Sequence, residues 1–67
     1  MNIDYNKNIA ILLTKYIQEK KVKNMSVVYD PENKNYLLKE NNKVIYKSSS
    51  AENIAYRIDI IAFCENY

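Results

Sequence analysis

The chain contains no glycine, no histidine and no tryptophan, and only one proline and one cysteine. Without glycine there is no phosphate-cradling loop and no dinucleotide-binding fingerprint. Without histidine the commonest general base is missing. With Cys64 as the sole thiol, an internal disulfide is impossible and a zinc site is close to excluded. The acids Asp4, Glu19, Asp30, Glu32, Glu40, Glu52, Asp59 and Glu65 are scattered beside lysines or at turns and helix starts. No pair of them is spaced to share a proton or a metal ion, so the expectation is no enzyme, no cofactor, no metal and no small-molecule substrate. The longest apolar run, Ile9 to Leu13, falls far short of the roughly 20 residues that span a bilayer. The first residues lack the basic-then-apolar pattern of a signal peptide. A lone cysteine fits a reducing compartment. A cytoplasmic protein without membrane contact is therefore expected.

Nine Lys and one Arg stand against eight acids, a net charge of +2. That excess is mild beside the clustered charge of most nucleic-acid-binding domains. The abundance of Lys, Asn, Ile and Tyr is the bias an AT-rich genome produces, as in many low-GC bacteria and their phages. At 67 residues the chain is one small domain, 1–67, which buries only about 60% of its unfolded surface. Domains of this size often add a disulfide, a metal or a second subunit, and here only a second subunit or another partner is left.

The residue pattern predicts helix, three strands, helix. Tyr5, Ile9, Leu12, Leu13 and Tyr16, with Ile17 at the edge, form one helical stripe, and Lys7, Thr14, Lys15 and Gln18 face away. Asp4 suits the positive end of that helix dipole and the lysines after Glu19 its negative end. Asn24 is the expected left-handed stop. Val- and Tyr-rich Met25 to Asp30 is a strand. Asp30-Pro31-Glu32-Asn33 is a turn, with Asn33 able to take positive φ. Tyr36 to Glu40 and Lys43 to Lys47 are two strands joined by Asn41-Asn42 in a type I′ turn. That turn sets Glu40 opposite Lys43, Lys39 opposite Val44, Leu38 opposite Ile45, Leu37 opposite Tyr46 and Tyr36 opposite Lys47. Neither face of this sheet is cleanly polar, and an exposed apolar face on a soluble domain usually marks a binding site. The expected class is α+β, a helix–three-stranded antiparallel sheet–helix (αβββα) domain with both helices on one face of the sheet.

The last segment, Ser49 to Tyr67, carries the clearest functional hint. Ser49 and Glu52 fit a capping box. Ala51, Ile54, Ala55, Ile58, Ile61 and Ala62 form one apolar stripe, and Tyr56, Ile60, Phe63 and Tyr67 form another on the opposite side. Cys64 reads as a filler within this helix. One stripe packs on the sheet and the other is left for a partner or a second copy. The expected function is therefore a non-catalytic protein-binding module, an inhibitor or adaptor that occludes a partner's surface. Its candidate residues are Tyr56, Ile60, Phe63 and Tyr67 with Tyr36 and Tyr46 of the sheet. In length and composition the chain resembles accessory proteins of phages and mobile elements, anti-CRISPR antagonists of host defence among them.

The element order also resembles the double-stranded-RNA-binding domain, which implies nucleic acid as the alternative partner. In that family a basic cluster at the start of the second helix grips phosphates, whereas here Ser48 to Asn53 has no cation and includes Glu52. Small DNA-binding domains that lay a sheet in the major groove are a second resemblance. For them Lys34, Lys39, Lys43 and Lys47 would serve, although the expected register points Lys39 away from Lys43 and Lys47.

Overall fold

A computed structural model describes residues 5–65. The chain runs α1 (Tyr5–Glu19), β1 (Met25–Asp30), β2 (Asn35–Glu40), β3 (Lys43–Ser48) and α2 (Ala51–Glu65). The strands form one antiparallel sheet in the order β1-β2-β3, and both helices lie on one face of it, as the residue pattern predicts. Asp4, Asn66 and Tyr67 lie outside the described residues.

The core forms where the two helices meet the sheet. Leu38 in the central strand is fully enclosed, and so are Ile17 of α1 and Ile54 and Ile58 of α2. Ala10, Leu13, Val22, Met25, Val27, Tyr36 and Ala62 complete it. In α2 the buried set is the Ala/Ile stripe of the sequence, with Ala51, Ala55 and Ile61 half-buried around it. In α1 the buried line is Ala10, Leu13 and Ile17, about a quarter turn from the predicted stripe. Tyr5 and Leu12 are consequently exposed. Thr14, predicted to face away, turns onto β1. Its hydroxyl accepts from Val27 N–H at 3.0 Å, and its proton lies between Ala10 O at 3.0 Å and Val27 O at 3.2 Å.

With no glycine available, five of the described residues take positive φ: Lys21, Asn24, Lys34, Asn41 and Asn42. Asn41 and Asn42 form the expected two-residue turn, keeping Glu40 opposite Lys43. The end of α1 differs from expectation. Lys21 N–H donates to Gln18 O at 3.0 Å and Val22 N–H to Ile17 O at 3.4 Å, the bond pair of a Schellman motif with Lys21 in the left-handed position. Val22 and Ile17 are both buried in the same core cluster, as the apolar pairing that accompanies this motif requires. Asn24 adopts its positive φ (64°) later, just before β1. Lys21→Gly should therefore stabilise the fold by about 0.5–1 kcal/mol, by relieving the crowding a Cβ suffers in this conformation. A denaturant midpoint shifted downward instead would show that the Lys21 side chain contributes more than its backbone costs.

The first hairpin loop spans residues 31–34 between Asp30 and Asn35. Asp30 accepts from Glu32 N–H at 3.1 Å and Asn33 Nδ2 at 2.8 Å, and it is Lys34, not Asn33, that takes positive φ. In the second hairpin the predicted register holds for Glu40–Lys43 and Lys39–Val44 and then slips. Ile45 is an extra, bulged residue, so Leu38 faces Tyr46, Leu37 faces Lys47 and Tyr36 faces Ser48. The bulge turns Tyr46 to the core side and leaves Ile45 outside. Bulges of this kind are common on edge strands, which they also protect from further pairing.

Helix α2 begins one residue later than the predicted capping box requires. Ser50 is the cap: Asn53 N–H donates to Ser50 Oγ at 3.4 Å and Ile54 N–H to Ser50 O at 3.3 Å. Ser48 Oγ accepts from Ser50 N–H and from Asn53 Nδ2. Glu52 therefore occupies the first turn, where its charge suits the helix dipole.

The helices are clasped by Tyr16, Asp59 and Lys20. The Tyr16 hydroxyl donates to Asp59 Oδ1 at 2.5 Å, and Lys20 Nζ lies 3.6 Å from the same oxygen. The bond to the Asp59 carboxylate raises the Tyr16 pKa above its ordinary value. The charges of Tyr16 and then Asp59 raise that of Lys20, and burial raises that of Tyr36. All three groups hold their protons more tightly folded than unfolded. Their contribution is thus fully present below about pH 10 and is lost as pH rises through the folded pKa values. Stability should fall on the alkaline side above about pH 10, less steeply in Tyr16→Phe, as checked by denaturant titration at several pH values. Equal alkaline slopes in the two proteins would exclude the clasp as a contributor.

Candidate interaction surface

Helix α2 is pinned to its neighbours on both flanks. Asp59 reaches α1 through the clasp, and Arg57 lies over the Tyr46 ring of β3 at 4.3 Å. With Ile54 and Ile58 turned into the core, the helix has one rotational setting. That setting directs Tyr56, Ile60 and Phe63 away from the sheet, where they are 69%, 40% and 63% exposed. On α1 Tyr5 and Leu12 are also exposed, 62% and 60%. Tyr5 and Leu12 were not predicted as surface groups. The signal available was that α1 holds apolar residues at 5, 9, 10, 11, 12, 13, 16 and 17, more than one face of a helix can bury.

The two predicted sheet residues do not join this surface. Tyr36 is 5% exposed; its ring packs against Tyr29 at 5.1 Å between centroids, and its hydroxyl donates to Asn6 Oδ1 at 2.9 Å. Burial of the ring on the core side of β2 removes it from any partner. Tyr46 is half-buried beneath Arg57 because the bulge at Ile45 turns it inward. Tyr67 lies outside the described residues. Cys64, predicted as a filler, is exposed.

The outer sheet face is a second, smaller apolar area. Val28, Val44 and Ile45 are exposed there, with Leu37 half-buried between them. The bulge also regroups the lysines. Lys39 pairs with Val44 and Lys47 with Leu37, so these two share the outer face, while Lys43 pairs with Glu40 on the other. The predicted division, Lys39 against Lys43 and Lys47, is thereby corrected. Lys34 sits apart in the first turn. The start of α2 presents Ser48, Ser50 and Glu52, with no cation.

A groove of about 270 Å³ runs between α1 and the free edge of β1, lined by Lys7, Ala10, Ile11, Val27, Val28 and Tyr29. It is apolar apart from Lys7 and has no convergent polar groups. Among the described residues no cluster of His, Cys, Asp or Glu could hold a metal ion. No described helix is long and apolar enough to cross a membrane.

The chain is thus a small αβββα domain of the α+β class. It matches no protein-family model, no curated protein and no solved structure.

Proposed function

We propose that the protein is a non-catalytic protein-binding module that works through the outer side of its helix layer. The observation behind this reading is the exposed row Tyr56, Ile60 and Phe63 on α2; Tyr5 and Leu12 are also exposed on α1. Aromatic and branched side chains on one rigid layer are the composition of interface centres. They are not the composition of an ordinary solvated helix face. An inhibitor or adaptor that occludes a partner's surface needs no more chemistry than this. Size and composition are consistent with an accessory protein of a phage or mobile element, including antagonists of host defence.

Capture of a specific protein from an extract of the native host tests this reading. Apolar contact predicts that capture persists in about 0.5 M salt and is lost in Ile60→Asp, which alters an exposed position. The second reading is nucleic acid, favoured by Lys39 and Lys47 sharing the outer sheet face. It predicts binding that collapses between low and moderate salt and fails in Lys39→Glu and Lys47→Glu while surviving Ile60→Asp. That outcome would replace the first reading.

A further inference from the structure

We infer that the first partner of the helix layer is a second copy of the chain, a step that rests on the protein-binding reading above. Taking an aromatic side chain as about 200 Å², the exposed fractions of Tyr5, Leu12, Tyr56, Ile60 and Phe63 amount to roughly 500 Å² of apolar surface. The whole molecule exposes 5031 Å². A stable interface takes roughly 800 Å² per partner with its polar rim, about a sixth of this molecule's surface. The α2 row, more than half of that total, would form the apolar centre of such an interface, with the α1 side chains adding to it.

Two further observations favour a copy of the same chain. A two-fold interface brings one patch against itself, so the patch must not be strongly of one sign. The helix layer meets that condition: Lys15 and Glu19 lie on exposed positions of α1, Glu52 lies on α2, and Lys20 is joined to Asp59 between them. The other apolar area, the outer sheet face, carries Lys39 and Lys47 against the single carboxylate of Asp30 near Lys47, a positive excess that self-pairing would double. The second observation is the size of the core, eleven buried apolar residues among those described in a chain with one cysteine. A domain so small lacks the usual staples, and a second subunit supplies the missing burial.

Sedimentation equilibrium of the full chain decides the matter. The expected mass is twice the 7.9 kDa of one chain at concentrations on the order of 100 µM. Leu12→Asp and Ile60→Asp, one on each helix, should each weaken association at least tenfold while keeping the wild-type far-UV circular dichroism. Ile45→Asp on the outer sheet face should leave the dimer intact. If Ile60→Asp fails to fold, Leu12→Asp carries the test. A wild-type monomer throughout this range overturns the inference, as does a dimer that survives both helix variants or yields only to Ile45→Asp. A monomer that still captures a host protein through Ile60 removes the self-pairing alone. Loss of the protein-binding reading itself requires the salt-sensitive, lysine-dependent result described above.

Discussion

Leu38→Ala should leave the domain at or beyond the edge of unfolding at 25 °C. Leu38 has no exposed surface and sits in the central strand opposite Val27 on one side and Tyr46 on the other. Removing three carbons there opens a cavity whose walls are held by both hairpins and both helices, so the site can collapse little. Truncations of this kind cost about 2–5 kcal/mol. A domain of this length has a total stability of about 3–10 kcal/mol. The thermal midpoint should drop by at least roughly 10 °C, at about 4–8 °C per kcal/mol for so small a domain. Leu12→Ala is the control, since the same chemistry at an exposed position should change stability by about 0.5 kcal/mol or less in dilute solution, below the association range. A loss under about 1 kcal/mol for Leu38→Ala would mean that the centre of the sheet is far looser than its burial implies.

The contrast between Leu38 and Leu12 shows how much the residue pattern carries. Strand order, the Asn41-Asn42 turn and the two stripes of α2 are legible because each depends on short-range rules: a two-residue period, a torsion only some residues tolerate, and a repeat of three and four. The exposed row Tyr56, Ile60 and Phe63 follows from the same arithmetic once the Ala/Ile stripe is assigned to the sheet. The rotation of α1 was not legible. Its apolar residues cover more than half its circumference, so periodicity alone permits several buried lines, and the contact between Thr14 and Val27 selects one of them. The bulge at Ile45 was equally hidden. Nothing in Lys43 to Ser48 announces an extra residue, and its consequence, the Tyr46 ring under Arg57, joins two elements that a strand pattern treats separately. Because of that one insertion, Tyr46 leaves the candidate surface and Lys39 and Lys47 come to share a face.

Lysines in the left-handed conformation follow from the absence of glycine. The chain must stop α1 and close its first hairpin, and both points require positive φ. Lys21 and Lys34 accept the crowding that glycine would avoid, and the surrounding hydrogen bonds and the burial of Val22 and Ile17 hold them there. Such local costs narrow an already small stability margin. That margin is where burial of the helix layer would count most: association removes apolar surface from water only in the folded protein, so it stabilises the fold by mass action.

The hydroxyl of Thr14 is the smallest group with a large expected effect. β1 is an edge strand, and the outward N–H and C=O of Val27 would otherwise stand unpaired beside α1. One side-chain oxygen answers both, accepting from the N–H at 3.0 Å and directing its proton toward the carbonyl at 3.2 Å. Thr14→Val keeps the shape and nearly the same helix propensity but removes donor and acceptor together. Leaving partly buried backbone groups without partners should cost about 1–3 kcal/mol. Hydrogen exchange at the Val27 amide should speed up by at least tenfold more than at Leu38, because the loss is local to the edge. Thr14→Ser retains the oxygen and should recover most of the difference. An unpaired edge is also a template for strand addition, so Thr14→Val should aggregate more readily on heating than Leu12→Ala does. If Thr14→Val instead matches the wild type in denaturant midpoint and in Val27 protection, the hydroxyl is a bystander, and α1 is oriented by its buried Ala10–Leu13–Ile17 line alone.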